Sequence, residues 1–267
     1  MTEDDHAKFP EGSAFLELQR AAFDSAEAFT RAFSASAGAK LPATVENFGS
    51  VLSIMYRTAC CAWGCNGGDH QLEWLVGRVV NQANAAYQLI QCASYDESLV
   101  LTRGIGEIAN LLWLFQEFPA ELKNWQATDK RTRLQSYGPA AVRKKLEGSK
   151  KIGPPIDNDR YQRLCEVGTH PVPALAPSHF TGSGRPVLSG MVQHVSIYVC
   201  TTELGYATAM CGVATSTIVL KDERARQKLF DSSVRLVRSL GSFTVLNFEE
   251  LLDKALKGED PTENVLH

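Results

Sequence analysis

The sequence predicts an all-α protein, an antiparallel helical bundle around a buried central helix at about residues 95–118. Apolar residues recur with the period of a helix through most of the chain, and no set of segments alternates as strands do. Prolines, glycines and capping residues separate these periodic stretches into individual helices. The chain has 267 residues, 44% of them hydrophobic, so it is long enough to bury a substantial core.

The first quarter of the chain predicts two helices. The first runs from about Gly12 to Ala37, where Gly38 is a suitable stop. The second starts at Pro42 and ends near Gly64. Their apolar stripes are Phe15, Leu18, Ala22, Phe29 and Phe33 in the first helix, and Val45, Phe48, Leu52, Met55 and Ala59 in the second.

We expect residues 1–68 to form a helical hairpin that packs on a main helical domain of residues 69–257, with a tail at 258–267. Asp69 is a good N-cap for a third helix whose apolar face would lie in the core. The central helix follows after a very short connection, so the two should be antiparallel neighbours. The apolar face of the third helix is Leu72, Leu75, Val79, Ala83, Ala86 and Ile90.

The central helix is predicted to begin with a capping box, in which Ser94 and Glu97 satisfy helix-start N–H groups. It is apolar on nearly all sides, which is typical of a buried helix. Arg103, Glu107 and Asn110 nevertheless form one polar stripe along it. Buried charges are unfavourable unless they are paired, so the stripe is either a ligand site or a structural salt bridge with an extra hydrogen bonder.

The second half of the chain predicts further helices and one long loop. A helix from Asp157 to His170 would stop at Pro171. The stretch Pro171–Val187 holds four prolines and two glycines and predicts a functional lid or a disordered segment. Other helices are expected at 120–131, 139–147, 188–217 and 222–240, with a short one capped by Asn247.

Arg163 and His170 lie two turns apart on the predicted 157–170 helix, so their side chains should share one face. Such a pair could bind a phosphodiester, with His170 as general acid or base. Alternatively, His170 stabilises the negative end of the helix dipole.

The charge distribution also favours an anionic partner. Residues 123–163 contain eleven Lys or Arg and four Asp or Glu, a balance of +7, although the whole chain carries −3. A basic segment on an acidic body is typical of a nucleic-acid footprint and equally of a solvated surface.

Seven cysteines and an N-terminus without an apolar leader predict free thiols and a cytoplasmic location. Cys60, Cys61 and Cys65 with His70 suggest zinc, but the spacing lacks Cys-x-x-Cys and no second ligand pair follows. We therefore predict no metal and no cofactor.

The stretch 204–220 is uncharged and barely of membrane-spanning length. We predict a buried helix there and no membrane partner. Gly205 and Gly212 would let another helix approach closely.

Two motifs in order resemble those of a known family. They are Arg103-x-x-x-Glu107 and Tyr161 followed by Gly168-Thr169-His170-Pro171. This arrangement resembles a mostly bacterial family of all-helical proteins, a domain of unknown function, over about residues 69–240. The resemblance implies that Arg103, Glu107 and His170 group together.

Arg163 followed after six residues by His170 also resembles the active motif of HEPN ribonucleases and toxins, helical bundles whose sites form across a dimer. The sequence departs from that motif because Leu164 stands where a polar residue usually follows the arginine. This resemblance implies a metal-independent ribonuclease or toxin that acts as a homodimer. A stress or phage-defence setting is a separate expectation, which belongs to the predicted binding of an anionic ligand.

We therefore predict a partly buried site that binds an anionic ligand, a nucleotide or RNA. The ligand-binding residues would be Arg103, Glu107, Asn110, Tyr161 and His170. If the site is catalytic, His170, Arg163 and Glu107 would carry the reaction. The competing prediction is a non-enzymatic interaction protein in which the polar cluster is purely structural.

Overall fold

The structure, a computed structural model, describes residues 11–36, 40–66, 69–149, 153–168, 188 and 190–241. Within these ranges the chain forms ten helices and no strand, which confirms the all-α prediction. The helices are α1 (Gly12–Ser36), α2 (Lys40–Ala59), α3 (Gln71–Gln91), α4 (Tyr95–Glu117), α5 (Pro119–Ala127), α6 (Lys130–Tyr137), α7 (Pro139–Glu147), α8 (Asn158–Gly168), α9 (His194–Ile218) and α10 (Glu223–Gly241).

The central helix is α4, as predicted. It packs against α3, α5, α7, α8 and α9, and its apolar residues supply much of the core. Ile105, Leu112 and Leu114 are fully buried because α4 has helices on several sides. By length and composition α4 is apolar enough to cross a membrane, yet 61% of its most apolar window is buried inside the protein.

The first two helices contribute unequally to the core. α2 packs against α3, α9 and α10, and its Val51 and Met55 are fully buried. The predicted apolar stripe of α1 is wrong at three positions, because Phe15, Leu18 and Phe29 are 45%, 63% and 53% exposed. α1 instead docks through its small residues Ala26 and Thr30, which permit a close approach to the body.

A tight turn joins α3 to α4 and excludes the predicted capping box. Ala93 has a left-handed φ of 57°, and the Ser94 N–H donates to the Leu89 carbonyl at 2.8 Å. This is the Schellman pattern that closes a helix. Ser94 is left with ψ 71°, away from the extended geometry of an N-cap, so its side chain makes no capping bond.

Other predicted boundaries hold to within a few residues, with four exceptions. α2 ends at Ala59, before the predicted Gly64. The helix predicted at 120–131 is two helices, α5 and α6, because Asp129 caps a new first turn. α3 begins at Gln71, since His70 rather than Asp69 precedes its first turn. α9 begins at His194, several residues after the predicted 188. The predictions for His170, Pro171–Val187 and Asn247 lie outside the described residues.

The glycines of α9 lie at close helix contacts, which confirms their predicted role. A Cβ on Gly205 would stand 3.1 Å from a methyl carbon of Leu240. On Gly212 it would meet Ser233 of α10 and Val51 of α2. The absence of side chains at these two positions lets α9 lie close to α2 and α10.

Candidate functional site

The polar stripe of α4 is covered by α8, which lies antiparallel to it. Residues further along α8 contact residues earlier along α4, and Gly168 packs against the backbone of Asp96 and Val100. Asp157 holds the start of α8, where its carboxylate accepts the Arg160 N–H at 2.8 Å. In chain order, the contacts from the α8 side are Ile156 with Asn110, Tyr161 with Glu107, and Cys165 with Arg103.

Asn110 has a structural partner at this junction. Its amide donates to the Ile156 carbonyl at 2.8 Å, and its oxygen accepts the Ile156 N–H at 3.0 Å. Asn110 is 3% exposed, so this reciprocal pair satisfies two backbone groups that water does not reach. This pair fixes the position at which the chain enters α8. It therefore also determines that Tyr161 lies beside Glu107 of α4.

Arg103, Glu107 and Tyr161 form one hydrogen-bonded group. Arg103 Nε lies 3.2 Å from Glu107 Oε1, and the Tyr161 hydroxyl donates to the same oxygen at 3.0 Å. Burial, followed by the negative charge of Glu107, raises the pKa of Tyr161 to about 12. The phenol therefore stays a hydrogen-bond donor at neutral pH. The arginine and glutamate side chains are 25% and 31% exposed, so solvent reaches the group.

Arg143 on α7 joins this group although the sequence analysis did not predict it. Its guanidinium carbon lies 3.9 Å from the centre of the Tyr161 ring, while that of Arg103 lies 5.7 Å away. Arg143 is only 5% exposed, and its Nη1 has no hydrogen-bond partner. Among the described residues no carboxylate forms an ion pair with it.

A sequence signal for Arg143 exists. Val142 and Leu146 are the buried residues of the short helix α7, and Arg143 lies on the same face at the i, i+3 spacing. An arginine on the apolar face of an amphipathic helix is a candidate buried charge. The sequence analysis did not single out Arg143, because it is one of eleven basic residues in the segment 123–163 and was counted only in the +7 balance.

The structure does not bring Arg163 into the group. Its side chain is exposed on α8, and the described residues offer it no hydrogen bond or ion pair. Its neighbour Arg160 is engaged elsewhere, in a double contact with Glu203 at 2.6 and 3.1 Å. His170 lies outside the described residues, so its grouping with Arg103 and Glu107 stays a prediction.

A second cluster lies in the turn between α2 and α3. The ligand-capable atoms of Cys61, Cys65 and His70 lie within 4.8 Å of one another. Cys61 and His70 both adopt left-handed backbone angles, φ 56° and 50°. Each such conformation costs about 1–2 kcal/mol in a residue other than glycine.

The Cys61 thiol is not an activated nucleophile. A hydrogen bond with Cys65, followed by burial, raises the pKa of Cys61 to about 11. The thiolate is the reactive form, so Cys61 is largely unreactive at neutral pH. The sequence analysis predicted no metal site here because the cysteine spacing lacks Cys-x-x-Cys. However, the spacing Cys61-x-x-x-Cys65 also falls within the range found for zinc ligands.

Comparison with protein-family models, with curated proteins and with solved structures finds no match for this chain. The resemblances to an all-helical family and to HEPN ribonucleases therefore stay predictions.

Proposed function

We propose that the protein binds the phosphate group of an anionic ligand, a nucleotide or RNA, where α7 and α8 meet α4. The observation that supports this most is Arg143, a nearly buried cation with an unpartnered nitrogen. Taking a charge out of water is unfavourable by several kcal/mol unless a counter-charge compensates. A bound phosphate would supply both the negative charge and the missing hydrogen-bond acceptor.

Arg103 gives the proposed site its solvent-facing side. A quarter of its side chain is exposed, and Glu107 and Cys165 orient its guanidinium from two directions. Arginine offers a planar set of donors that matches phosphate geometry. Because the Tyr161 ring stacks on the Arg143 guanidinium, we expect a phosphate to meet Arg103 first and Arg143 after the ring has moved.

The positive charge around the proposed site would favour its association with an anionic ligand. The helices α5–α8 contain most of the basic segment 123–163, and α7 and α8 both pack on α4 beside the proposed site. A local excess of positive charge raises the association rate of anions and makes binding sensitive to salt. Salt-dependent affinity is therefore part of the proposal.

The test is fluorescence anisotropy with two labelled probes, a 5′-mononucleotide and a single-stranded RNA. Arg103→Met and Arg143→Met keep the apolar stems but remove the charges, so both should weaken binding by about 10–100-fold. Arg238→Met, on the exposed face of α10, is the matched control and should bind like the wild type.

The two probes also separate the alternatives. Tighter binding of RNA would identify RNA as the ligand, and tighter binding of the mononucleotide would identify a nucleotide. Cleavage of the RNA that is lost in His170→Ala would instead support the ribonuclease. Absence of binding by the wild type would contradict the proposal and leave a structural polar cluster.

A further inference from the structure

We infer that Cys61, Cys65 and His70 form a zinc-binding site in the turn between α2 and α3. Within the described part of the chain, no other group of three His, Cys, Asp or Glu residues brings its ligand atoms so close together. The inference is independent of the proposed phosphate site, which involves other helices.

The distances match a tetrahedral site. Zinc–sulfur and zinc–nitrogen bonds of about 2.3 and 2.0–2.1 Å at tetrahedral angles put the sulfur and nitrogen about 3.5 Å apart, and two sulfurs about 3.8 Å apart. Cys61 Sγ and His70 Nδ1 are separated by 3.4 Å. Because all three ligand atoms lie within 4.8 Å of one another, zinc could bind after movements of about 1 Å.

The backbone presents the cysteine ligands from a constrained turn. Cys61 occupies the left-handed position after α2, where the Ala62 N–H donates to the Arg57 carbonyl at 3.0 Å and closes a Schellman motif. Glycine is the usual residue at this position, so a cysteine there requires a compensating interaction. The Lys221 ammonium donates to the Cys65 carbonyl at 2.6 Å and holds the other end of the turn.

A buried carboxylate beside the cluster needs a positive charge. Glu73 is 2% exposed, and its Oε2 has no hydrogen-bond partner. Its Oε1 accepts from the backbone and side chain of Asn66, the residue next to Cys65, at 2.7 and 3.2 Å. Since no described cation forms an ion pair with Glu73, a divalent ion in the adjacent cluster would offset its charge.

Two thiolates and one imidazole are a ligand set that zinc favours. Three protein ligands leave the fourth tetrahedral position to water or to an outside ligand. His70 is exposed, so the cluster lies at the surface, where such a ligand can enter.

Cobalt titration of the reduced, metal-stripped full chain tests the site, because cobalt reports thiolate ligands through a charge-transfer absorption. We expect one equivalent to produce this band together with the visible bands of tetrahedral cobalt, and zinc to displace it. Cys61→Ser and Cys65→Ser should each lose about half of the charge-transfer intensity and bind cobalt more weakly. His70→Ala should keep the band but weaken binding.

Cys60→Ser is the matched control, since Cys60 is adjacent in sequence, exposed and outside the cluster. It should titrate like the wild type, and circular dichroism should verify the fold of every variant. If Cys61→Ser fails to fold, Cys65→Ser and His70→Ala carry the test. A wild type without the band, a charge-transfer band of unchanged intensity in Cys65→Ser, or a Cys61–Cys65 disulfide that persists under reducing conditions would overturn the inference.

Discussion

The guanidinium carbon of Arg143 lies 3.9 Å from the centre of the Tyr161 ring, and this contact joins α7 to α8. A cation over an aromatic face contributes up to about 2 kcal/mol when it is desolvated. The same burial imposes a desolvation penalty on the arginine that is larger than this contribution. The contact between Arg143 and Tyr161 therefore stabilises the packing of α7 against α8 less than its short distance suggests.

The first prediction follows from this balance. Arg143→Met should leave the free energy of unfolding in urea within about 1 kcal/mol of the wild type, or raise it, because a buried uncompensated charge is replaced by an apolar chain. A loss of more than about 3 kcal/mol would show that the arginine is a structural partner whose removal disrupts the core.

Asn110→Ala should behave in the opposite way. It removes both partners of the buried Ile156 N–H and carbonyl, and the unsatisfied groups should lower the free energy of unfolding by about 2–4 kcal/mol. Urea denaturation measures this loss. Gln162→Ala, on the exposed face of α8, is the control and should change stability by no more than about 0.5 kcal/mol. Equal stabilities of the two variants would contradict a structural role for Asn110.

Stability should fall at alkaline pH. The pKa of Tyr95, Tyr137 and Tyr161 is raised to about 12 in each case, mainly because of burial. The folded protein thus holds these phenol protons more tightly than the unfolded chain, whose tyrosines titrate near pH 10. Their contribution is complete below about pH 10 and is lost as the pH rises toward about 12.

Thermal melting across this range measures the effect. Tyr161→Phe cannot ionise, so its melting temperature should decline less steeply with pH than that of the wild type. A parallel decline in both proteins would show that Tyr161 has no raised pKa.

A pair of glycine substitutions tests the packing of α9. In Gly212→Ala the new Cβ would overlap Ser233 Oγ, which donates to the Leu229 carbonyl, so the serine or the helix must shift. We expect a loss of about 1–3 kcal/mol, as for other overpacked cores. Calorimetric melting measures it.

Gly49→Ala is the matched control on α2. No atom lies within 4 Å of the added Cβ, so helix propensity alone should stabilise the protein by about 0.5–1 kcal/mol. Destabilisation of similar size in both variants would contradict the described contact between α9 and α10.

The sequence predicted where the helices form better than it predicted what each helix face contacts. Periodicity identified α4 and the apolar face of α3, because a helix that packs on several sides must be apolar at those positions. It failed for α1, where Phe15 and Leu18 have the same spacing but face away from the core. Periodicity shows which residues share a face and does not show what that face meets.

The candidate site was predictable in part. The stripe spacing identified Arg103 and Glu107. Tyr161, which the sequence analysis named through the family resemblance, is hydrogen-bonded to Glu107 in the structure. Arg143 was missed because its role depends on how α7 docks beside α8, a tertiary contact between short helices. The cluster of Cys61, Cys65 and His70 was not predicted as a metal site for a similar reason. The left-handed backbone at Cys61 and His70 brings these side chains together, and the period of a regular helix does not predict such a turn.

The central claim is that Arg143 and Arg103 bind one phosphate group. Calorimetric titration with 5′-AMP of the wild type, of Arg143→Met and of the Arg238→Met control tests it most directly. We predict saturable binding by the wild type and the control, and an affinity about 10–100-fold lower for Arg143→Met with its unfolding transition intact. Equal affinities of the wild type and Arg143→Met, or no heat of binding in any of the three, would contradict the claim.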